Sequence, residues 1–137
     1  AIAKDAAAWL AGKLPLTQKA HFIDTRRRIR FNELSAEEKN ALIRENPLYG
    51  RVICRCETVT EGEIVAAIHS PVPPTTINGV KRRVGAGMGR CQGGFCGPRV
   101  LELISKTLGI SPLDVLQDKA GTNVLLCETK QEENHHD

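Results

Sequence analysis

The chain has 137 residues, room for one modest core and an appended segment, and is 41% hydrophobic but only 4% aromatic, a globular composition built on aliphatic packing. Its 19 Lys and Arg against 16 Asp and Glu leave a net charge of +3, well short of the basic stripe of a nucleic-acid binder. There is no run of about 18 apolar residues, so no membrane span is expected.

Ile2, Ala6, Trp9 and Leu10 recur at helical spacing in an alanine-rich stretch, and Gly12 stands where a helix would stop. From these residues alone, an N-terminal helix packs on the rest of the domain. Residues 13–33 hold Pro15 and the run Arg26, Arg27, Arg28, Ile29, Arg30 without a clear period. They read as a solvated connector; the functional alternative is docking onto an acidic surface of a parent or partner subunit. Ser35 to Glu38 is a capping box that opens a helix through about Glu45, with Ala36, Leu42 and Ile43 as packing residues and Pro47 enforcing its end.

Thr60 to Glu63 is a second capping box, and Ile64, Val65 and Ile68 give the helix that follows a buried face. That helix should end near His69, because Pro71, Pro73 and Pro74 cannot continue it. His69 is read as a capping or surface residue rather than a ligand. A short helix after Thr75 takes Asn78 as its N-cap and turns Val80 and Val84 inward. Its Lys81, Arg82, Arg83 run is too little, on a nearly neutral chain, to support a helix-turn-helix DNA reader. Gly85, Gly87 and Gly89 lack the spacing and the preceding buried strand of a dinucleotide-binding loop.

Cys96 and Gly97 lead into the next helix, with Pro98 at its first position, Val100, Leu101, Ile104 and Leu108 as its apolar face, and Gly109 as its stop. Ser111 to Asp114 repeats the start signal for a last short helix through about Asp118, which Gly121 breaks. Val124 to Cys127 is apolar enough for a short strand or packed extended segment, in which Cys127 acts as a small hydrophobe. Residues 121–137 carry one Lys against four Asp and Glu. That acidic tail, with His135 and His136, reads as solvated chain rather than a metal site.

Four of the five cysteines form two close pairs, Cys54-x-Cys56 and Cys91-x4-Cys96, with 34 residues between them. An odd cysteine count, no export pattern within the chain and a length sufficient for an ordinary core argue against a disulfide framework and for a reduced, cytoplasmic protein. Two close pairs then read as one four-thiolate metal site. Zinc accepts four thiolates, although structural zinc sites use C-x2-4-C knuckles and the C-x-C arm departs from that.

The surroundings of the pairs suit an iron–sulfur cluster. Six of the twelve glycines fall between residues 85 and 97, and such a loop can wrap an inorganic core and aim amide N–H groups at its sulfurs. Arg55 and Arg90 adjoin ligand positions, and Lys81, Arg82, Arg83 and Arg99 are close in sequence, which suits a cluster whose negative charge grows on reduction. Cys96 would sit at a helix N-terminus, where the dipole favours a thiolate. The candidate ligands are thus Cys54, Cys56, Cys91 and Cys96, with Gly89, Arg90, Gly93 and Gly94 closest around the cofactor.

Ile53 to Glu57, Val59 to Ile64, Gly79 to Arg83 and Ala86 to Cys96 together resemble the 2Fe-2S domain related to bacterioferritin-associated ferredoxin. More narrowly, they are similar to the version at the C-terminus of FAD-dependent dehydrogenases such as the anaerobic glycerol-3-phosphate dehydrogenase large subunit. The resemblance spans roughly residues 50 to 120. It implies a 2Fe-2S cluster on the four cysteines and FAD in a preceding domain rather than in this chain; zinc as a substitute in the same site stays open from the four thiolates themselves. It further implies that residues 1–12 close a flavin-binding domain, so that the chain is the tail of a longer polypeptide. The partner is then the flavin-binding dehydrogenase domain of the same polypeptide or complex, with an electron acceptor beyond it.

The expected architecture is mainly α, a small helical domain of short helix pairs with a metal cluster in the connecting loops, preceded by an N-terminal helix and linker. Residues 1–46 are the N-terminal helix, linker and capped helix, 47–120 the cluster-binding domain, and 121–137 a short extended segment and acidic tail. About 70 residues build only a marginal core, so the cluster is expected to contribute to folding as well. No nucleophile, base or substrate pocket stands out, and this chain alone carries no catalytic pocket. The other readings are a zinc-binding interaction module, a metallochaperone or regulatory domain, and a stand-alone ferredoxin serving bacterioferritin, against which the N-terminal helix and linker speak.

Overall fold

The computed structural model describes residues 2–15, 17, 19–22, 25 and 28–129, and within them the chain is mainly helical. Helices α1 (Ile2–Ala11), α2 (Ala36–Glu45), α3 (Glu61–Ile68), α4 (Ile77–Val84) and α5 (Gly97–Leu108) are joined by loops and by short 3-10 turns at Phe31–Glu33, Pro47–Gly50 and Pro112–Asp114. Strands β1 (Val52–Cys54) and β2 (Val59–Thr60) form an antiparallel ribbon that pairs Val52 with Thr60 and Cys54 with Val59 across a bulge.

Both capping boxes form. The Glu38 N–H donates to Ser35 Oγ at 3.2 Å and the Ser35 N–H to Glu38 Oε2 at 2.8 Å. At the start of α3 the Glu63 N–H donates to Thr60 Oγ1 at 3.3 Å and the Thr60 N–H to Glu63 Oε2 at 2.9 Å. These reciprocal bonds satisfy donors that the first turn of a helix leaves open, and they set where α2 and α3 begin. Gly109, in the left-handed region at φ +66, stops α5 after Leu108.

Helices α3, α4 and α5 bury one face each around a common core of Ile64, Ala67, Ile68, Val80, Val84, Val100, Leu101 and Ile104, closed below by Val115. Ile64 and Ile104 are wholly buried, each contributing about 1.5–3 kcal/mol by leaving water. Cys54 and Cys96 belong to the same cluster, so the core and the thiol loops share a wall.

Several expectations give way to tertiary context. Helix α1 buries none of its residues, with Ile2 85% and Trp9 63% exposed, and so does not pack on the domain. In α2, Leu42 and Ile43 are half-buried, but Ala36 is exposed because it lies in the first turn on the solvent side. The N-cap of α4 is Thr76, whose Oγ1 accepts the Gly79 N–H at 3.0 Å. Asn78 lies inside the first turn, where its N–H reaches Gln117 O at 2.9 Å and its side chain accepts from Gln117 Nε2 at 2.9 Å. Pro98 takes the second helical position, because α5 already starts at Gly97.

The last helix is only the Pro112–Asp114 turn. Beyond it the chain extends and bridges to Thr76, with the Ile77 N–H donating to Leu116 O at 3.1 Å. This pairing competes successfully with a helix through Asp118, and the Arg82 guanidinium holds Asp118 in two 2.9 Å bonds. Val124 to Cys127 does not pack as expected, since Leu126 is 87% exposed and Cys127 is exposed. His69 caps α3, exposed, with its ring Nδ1 at 3.0 Å from Val65 O.

The connector is not solvated to its end. Phe31 is buried, and its N–H donates to Glu63 Oε1 at 3.2 Å, tying the connector to α3. Arg30 pairs with Glu33 at 2.8 Å, while Arg26 and Arg27 lie outside the described residues, as do His135 and His136.

Tyr49 and Gly62 show how closely the Pro47–Gly50 turn is seated on α3, since a Cβ at Gly62 would stand 2.7 Å from the Tyr49 ring. Gly62→Ala is therefore expected to cost about 1–3 kcal/mol by overpacking, read as a lower thermal unfolding midpoint. Gly97→Ala, where a Cβ meets nothing within 4 Å, is the matched control and should leave the midpoint unchanged or raised.

Candidate metal centre

The two cysteine loops meet because the ribbon and α5 bring them to one edge of the core. Cys54 ends β1 with its side chain turned into the core, at 1% exposure, and Cys96 caps α5 at 2%. Cys56 lies in the β1–β2 turn, exposed, and Cys91 in the glycine loop before α5, half-buried. The Cys56 and Cys91 Sγ atoms are 3.7 Å apart. Cys54 and Cys96 face each other thiol to thiol.

All four thiols line one open cleft of about 820 Å³, together with Val52, Ile53, Phe95, Arg55, Arg90 and Arg99. No carboxylate is part of that lining. Among the described residues, no three His, Cys, Asp or Glu side chains are gathered tightly enough to hold a single metal ion. The donors stand as two pairs.

The loop from Gly85 to Gly97 is held by its own backbone. The Gln92 N–H donates to Gly89 O at 2.9 Å, the Gly94 N–H to Cys91 O at 2.9 Å and the Gly97 N–H to Gly93 O at 2.7 Å. Gln92 adopts a left-handed φ of +48, and its amide Nε2 donates to Met88 O at 3.1 Å and Gly89 O at 3.0 Å, stabilising a conformation that a non-glycine residue resists. Gly89 is the seam between the loops, because a Cβ there would overlap the Cys56 Cβ. Only glycine lets the two backbones approach this closely.

The loop also polarises its thiols in opposite senses. Backbone N–H groups of Phe95 and Gly93, with the Cys56 thiol and more weakly Gly94, hold the Cys91 thiol below its ordinary value of 9.0. Burial pushes Cys96 up to about 11, with the charges on Cys54 and Cys91 acting the same way. A raised folded value means that neutral Cys96 stabilises the metal-free fold fully below about 9, and that this contribution is lost as the pH rises toward about 11. Tyr49, raised first by burial and then by Glu63 and Glu45, acts in the same direction. The unfolding midpoint of the metal-free chain should therefore fall across that alkaline window, and an unchanged midpoint would contradict the burial of Cys96.

Of the eight residues singled out from the sequence, the four cysteines converge on the cleft and Arg90 lines it. Gly93 and Gly94 supply N–H groups at Cys91, while Gly89 acts by close approach to Cys56. Phe95, 86% exposed between the two cysteines of its loop, was not singled out. Its signal was an aromatic residue in an otherwise glycine-rich loop on an aromatic-poor chain. Cys127 is not part of the cleft lining.

Residues 52–106 match the BFD-like [2Fe-2S] binding domain. A glycerol 3-phosphate dehydrogenase of Caloramator mitchellensis is 49% identical over 118 residues, 85% of this chain and 25% of that protein. An opine oxidase chain of Rhizobium meliloti is 39% identical over 64 residues, 47% of this chain and 12% of that protein. A chain of the anaerobic glycerol-3-phosphate dehydrogenase of Escherichia coli K12 is 33% identical over 66 residues, 48% of this chain and 12% of that protein. The chain thus spans a quarter or less of the length of these relatives. No solved structure matches it. Among the described residues, no helix is long and apolar enough to cross a membrane. The paired thiols lie on the very stretch that carries the family match, from β1 to the last turns of α5, and residues 52–106 are thus a BFD-like [2Fe-2S] binding domain within the chain.

Proposed function

We propose that this chain is the electron-transfer part of an FAD-dependent dehydrogenase of the glycerol-3-phosphate type, with a 2Fe-2S cluster held by Cys54, Cys56, Cys91 and Cys96. The observation that carries the reading is the Cys56–Cys91 separation of 3.7 Å beside a second, facing thiol pair. Two thiolates on one tetrahedral metal with bonds of about 2.3 Å stand about 3.8 Å apart, so the Cys56–Cys91 pair suits one metal. Among the described residues no third His, Cys, Asp or Glu is grouped with them to share a single ion, which suits a binuclear core better than a single zinc ion.

When bound, the cluster supplies exchange of single electrons between flavin and acceptor. The chain does the rest. β1 and α5 fix Cys54 and Cys96 against the aliphatic core, so the site is held by rigid elements on one side. The amides of Gly93 and Phe95 meet the negative charge at Cys91, and Arg55 and Arg90 offset it from the cleft wall. Gly89 keeps the loops in contact.

The wider assignment rests on the 118-residue similarity to a glycerol 3-phosphate dehydrogenase, which extends well upstream of residue 52. In this reading residues 1–46 are the end of a flavin domain and its connector, 47–120 the cluster-binding domain, and 121–137 an extended segment and acidic tail. The exposed Trp9 and Leu10 of α1 are then covered by the flavin domain. Thiols kept as ligands suit a reducing compartment, and a cytoplasmic location belongs to the same proposal.

Anaerobically purified chain should show visible charge-transfer absorption, about two irons per chain and a half-integer-spin EPR signal after dithionite reduction. A colourless protein holding one zinc that iron and sulfide cannot replace would overturn the proposal and make the domain a structural module.

A further inference from the structure

The connector and α4 place cations around a cavity that the metal centre does not use. Arg28 and Arg30 from the connector and Arg83 from the last turn of α4 line a space of about 580 Å³. None of its lining residues belongs to the thiol cleft. The one carboxylate in its wall, Glu63, already accepts from the Phe31 N–H, the Thr60 N–H and the Thr60 hydroxyl. Three guanidinium groups thus stand against a single carboxylate, and none forms an ion pair with it among the described residues.

Most of the donors around this space are unused. Arg28 makes no hydrogen bond or ion pair among the described residues. Arg83 gives one N–H to Val72 O at 2.9 Å and Arg30 one to Glu33 at 2.8 Å, out of the five that each guanidinium carries. Tyr49 is 6% exposed, yet its hydroxyl makes no hydrogen bond among the described residues. Since no sealed side-chain polar atom among them lacks a partner, that hydroxyl opens on the cavity that Tyr49 lines. A nearly buried phenol without a partner is destabilising, and a ligand oxygen would satisfy it.

Guanidinium forks match the oxygens of phosphates and carboxylates, and three of them suit a dianion better than a single carboxylate. The volume is that of a small-ligand site rather than of a bare ion, and Ile29, Ala66 and Ala67 offer the body of a ligand an apolar wall. We propose that this cavity binds the phosphate monoester of a small organic molecule, with Arg28, Arg30 and Arg83 on the phosphate and the Tyr49 hydroxyl donating to a ligand oxygen. A bound ester would tie the connector to α3 and α4, because the lining comes from all three. The site goes beyond electron transfer and does not rest on the cluster assignment, since it contains none of the cysteines.

The test uses the whole chain at constant ionic strength, with sulfate, inorganic phosphate, glycerol 3-phosphate and AMP as probes, read by isothermal titration and by the amide shifts of Ala66, Ala67 and Arg83. The esters are expected to bind about tenfold more tightly than either inorganic anion and to raise the unfolding midpoint. Tighter binding of glycerol 3-phosphate assigns the site to short-chain esters and tighter binding of AMP to nucleotides, and either result supports the proposal. Arg28→Ala should weaken the esters about tenfold while leaving the ligand-free midpoint unchanged. Tyr49→Phe, which keeps the ring against Gly62, should weaken them without lowering that midpoint. Arg99→Ala, on the thiol cleft, should bind as wild type does.

Esters that bind no better than sulfate or inorganic phosphate would overturn the proposal, as would ester affinities that Arg28→Ala leaves intact. A chain that takes up no iron–sulfur cluster but still binds the esters would overturn the electron-transfer reading alone.

Discussion

Cys91→Ser is expected to yield a chain that does not retain the cluster, with no visible charge-transfer absorption and little iron after reconstitution. The Cys91 thiol stands 3.7 Å from Cys56 and receives the amides of Phe95 and Gly93, so its loop is shaped to present a thiolate. A serine hydroxyl is shorter, ionises far less readily and is a poor match for the soft iron–sulfide core. Because metal binding and folding are linked, amide exchange between residues 85 and 97 should quicken to the rate of metal-free wild type. Cys127→Ser, at an exposed position that does not line the cleft, should leave spectrum and iron content unchanged. Retention of a wild-type spectrum by Cys91→Ser would remove Cys91 from the ligand set.

Glu63→Ala should be the most damaging single change outside the cysteines. Glu63 is 6% exposed, and its carboxylate accepts from the Thr60 N–H at 2.9 Å, the Thr60 hydroxyl at 3.0 Å and the Phe31 N–H at 3.2 Å. Truncation breaks the capping box of α3, leaves buried donors without an acceptor and releases Phe31. An unsatisfied buried group costs ~1–3 kcal/mol and a lost cap ~1 kcal/mol, so a loss of about 3 kcal/mol is expected. For a domain of this size that is a fall of roughly 15 °C in unfolding midpoint. Glu63→Gln, which keeps one carbonyl acceptor, should fall between wild type and Glu63→Ala. A midpoint for Glu63→Ala within a degree or two of wild type would mean that the Phe31 contact is not formed in solution.

Helix starts were legible wherever the signal was local. Ser35 with Glu38 and Thr60 with Glu63 each close a box within four residues, and both helices begin where those residues place them. The apolar positions of α4 and α5 were legible for the same reason, since a 3.6-residue period projects Val80 and Val84, or Val100, Leu101 and Ile104, onto one face whatever lies opposite. The N-cap of α4 falls on Thr76 rather than Asn78 although both are good caps in isolation. Strand-like pairing of Leu116 with Thr76 decides between them. The same pairing ends the C-terminal helix early. The burial of Phe31 and its bond to Glu63 were not legible for a related reason: that bond joins residues 32 apart, and no periodicity spans that separation.

The sequence by itself determined that four thiols stand in two short motifs, with a glycine loop and nearby arginines, because ligand type and local spacing are properties of the chain; their service to one metal centre is the proposal built on that pattern. It also determined the helical character of the domain, through capping and period. Only the tertiary structure decided which thiols pair across the loops, that one pair lies in the aliphatic core and the other at the surface, and that Gly89 is needed for contact with Cys56. Those are distances and dielectric surroundings between segments far apart in sequence, and they exist only once α3, α4 and α5 have packed and carried the ribbon and the glycine loop to the same edge.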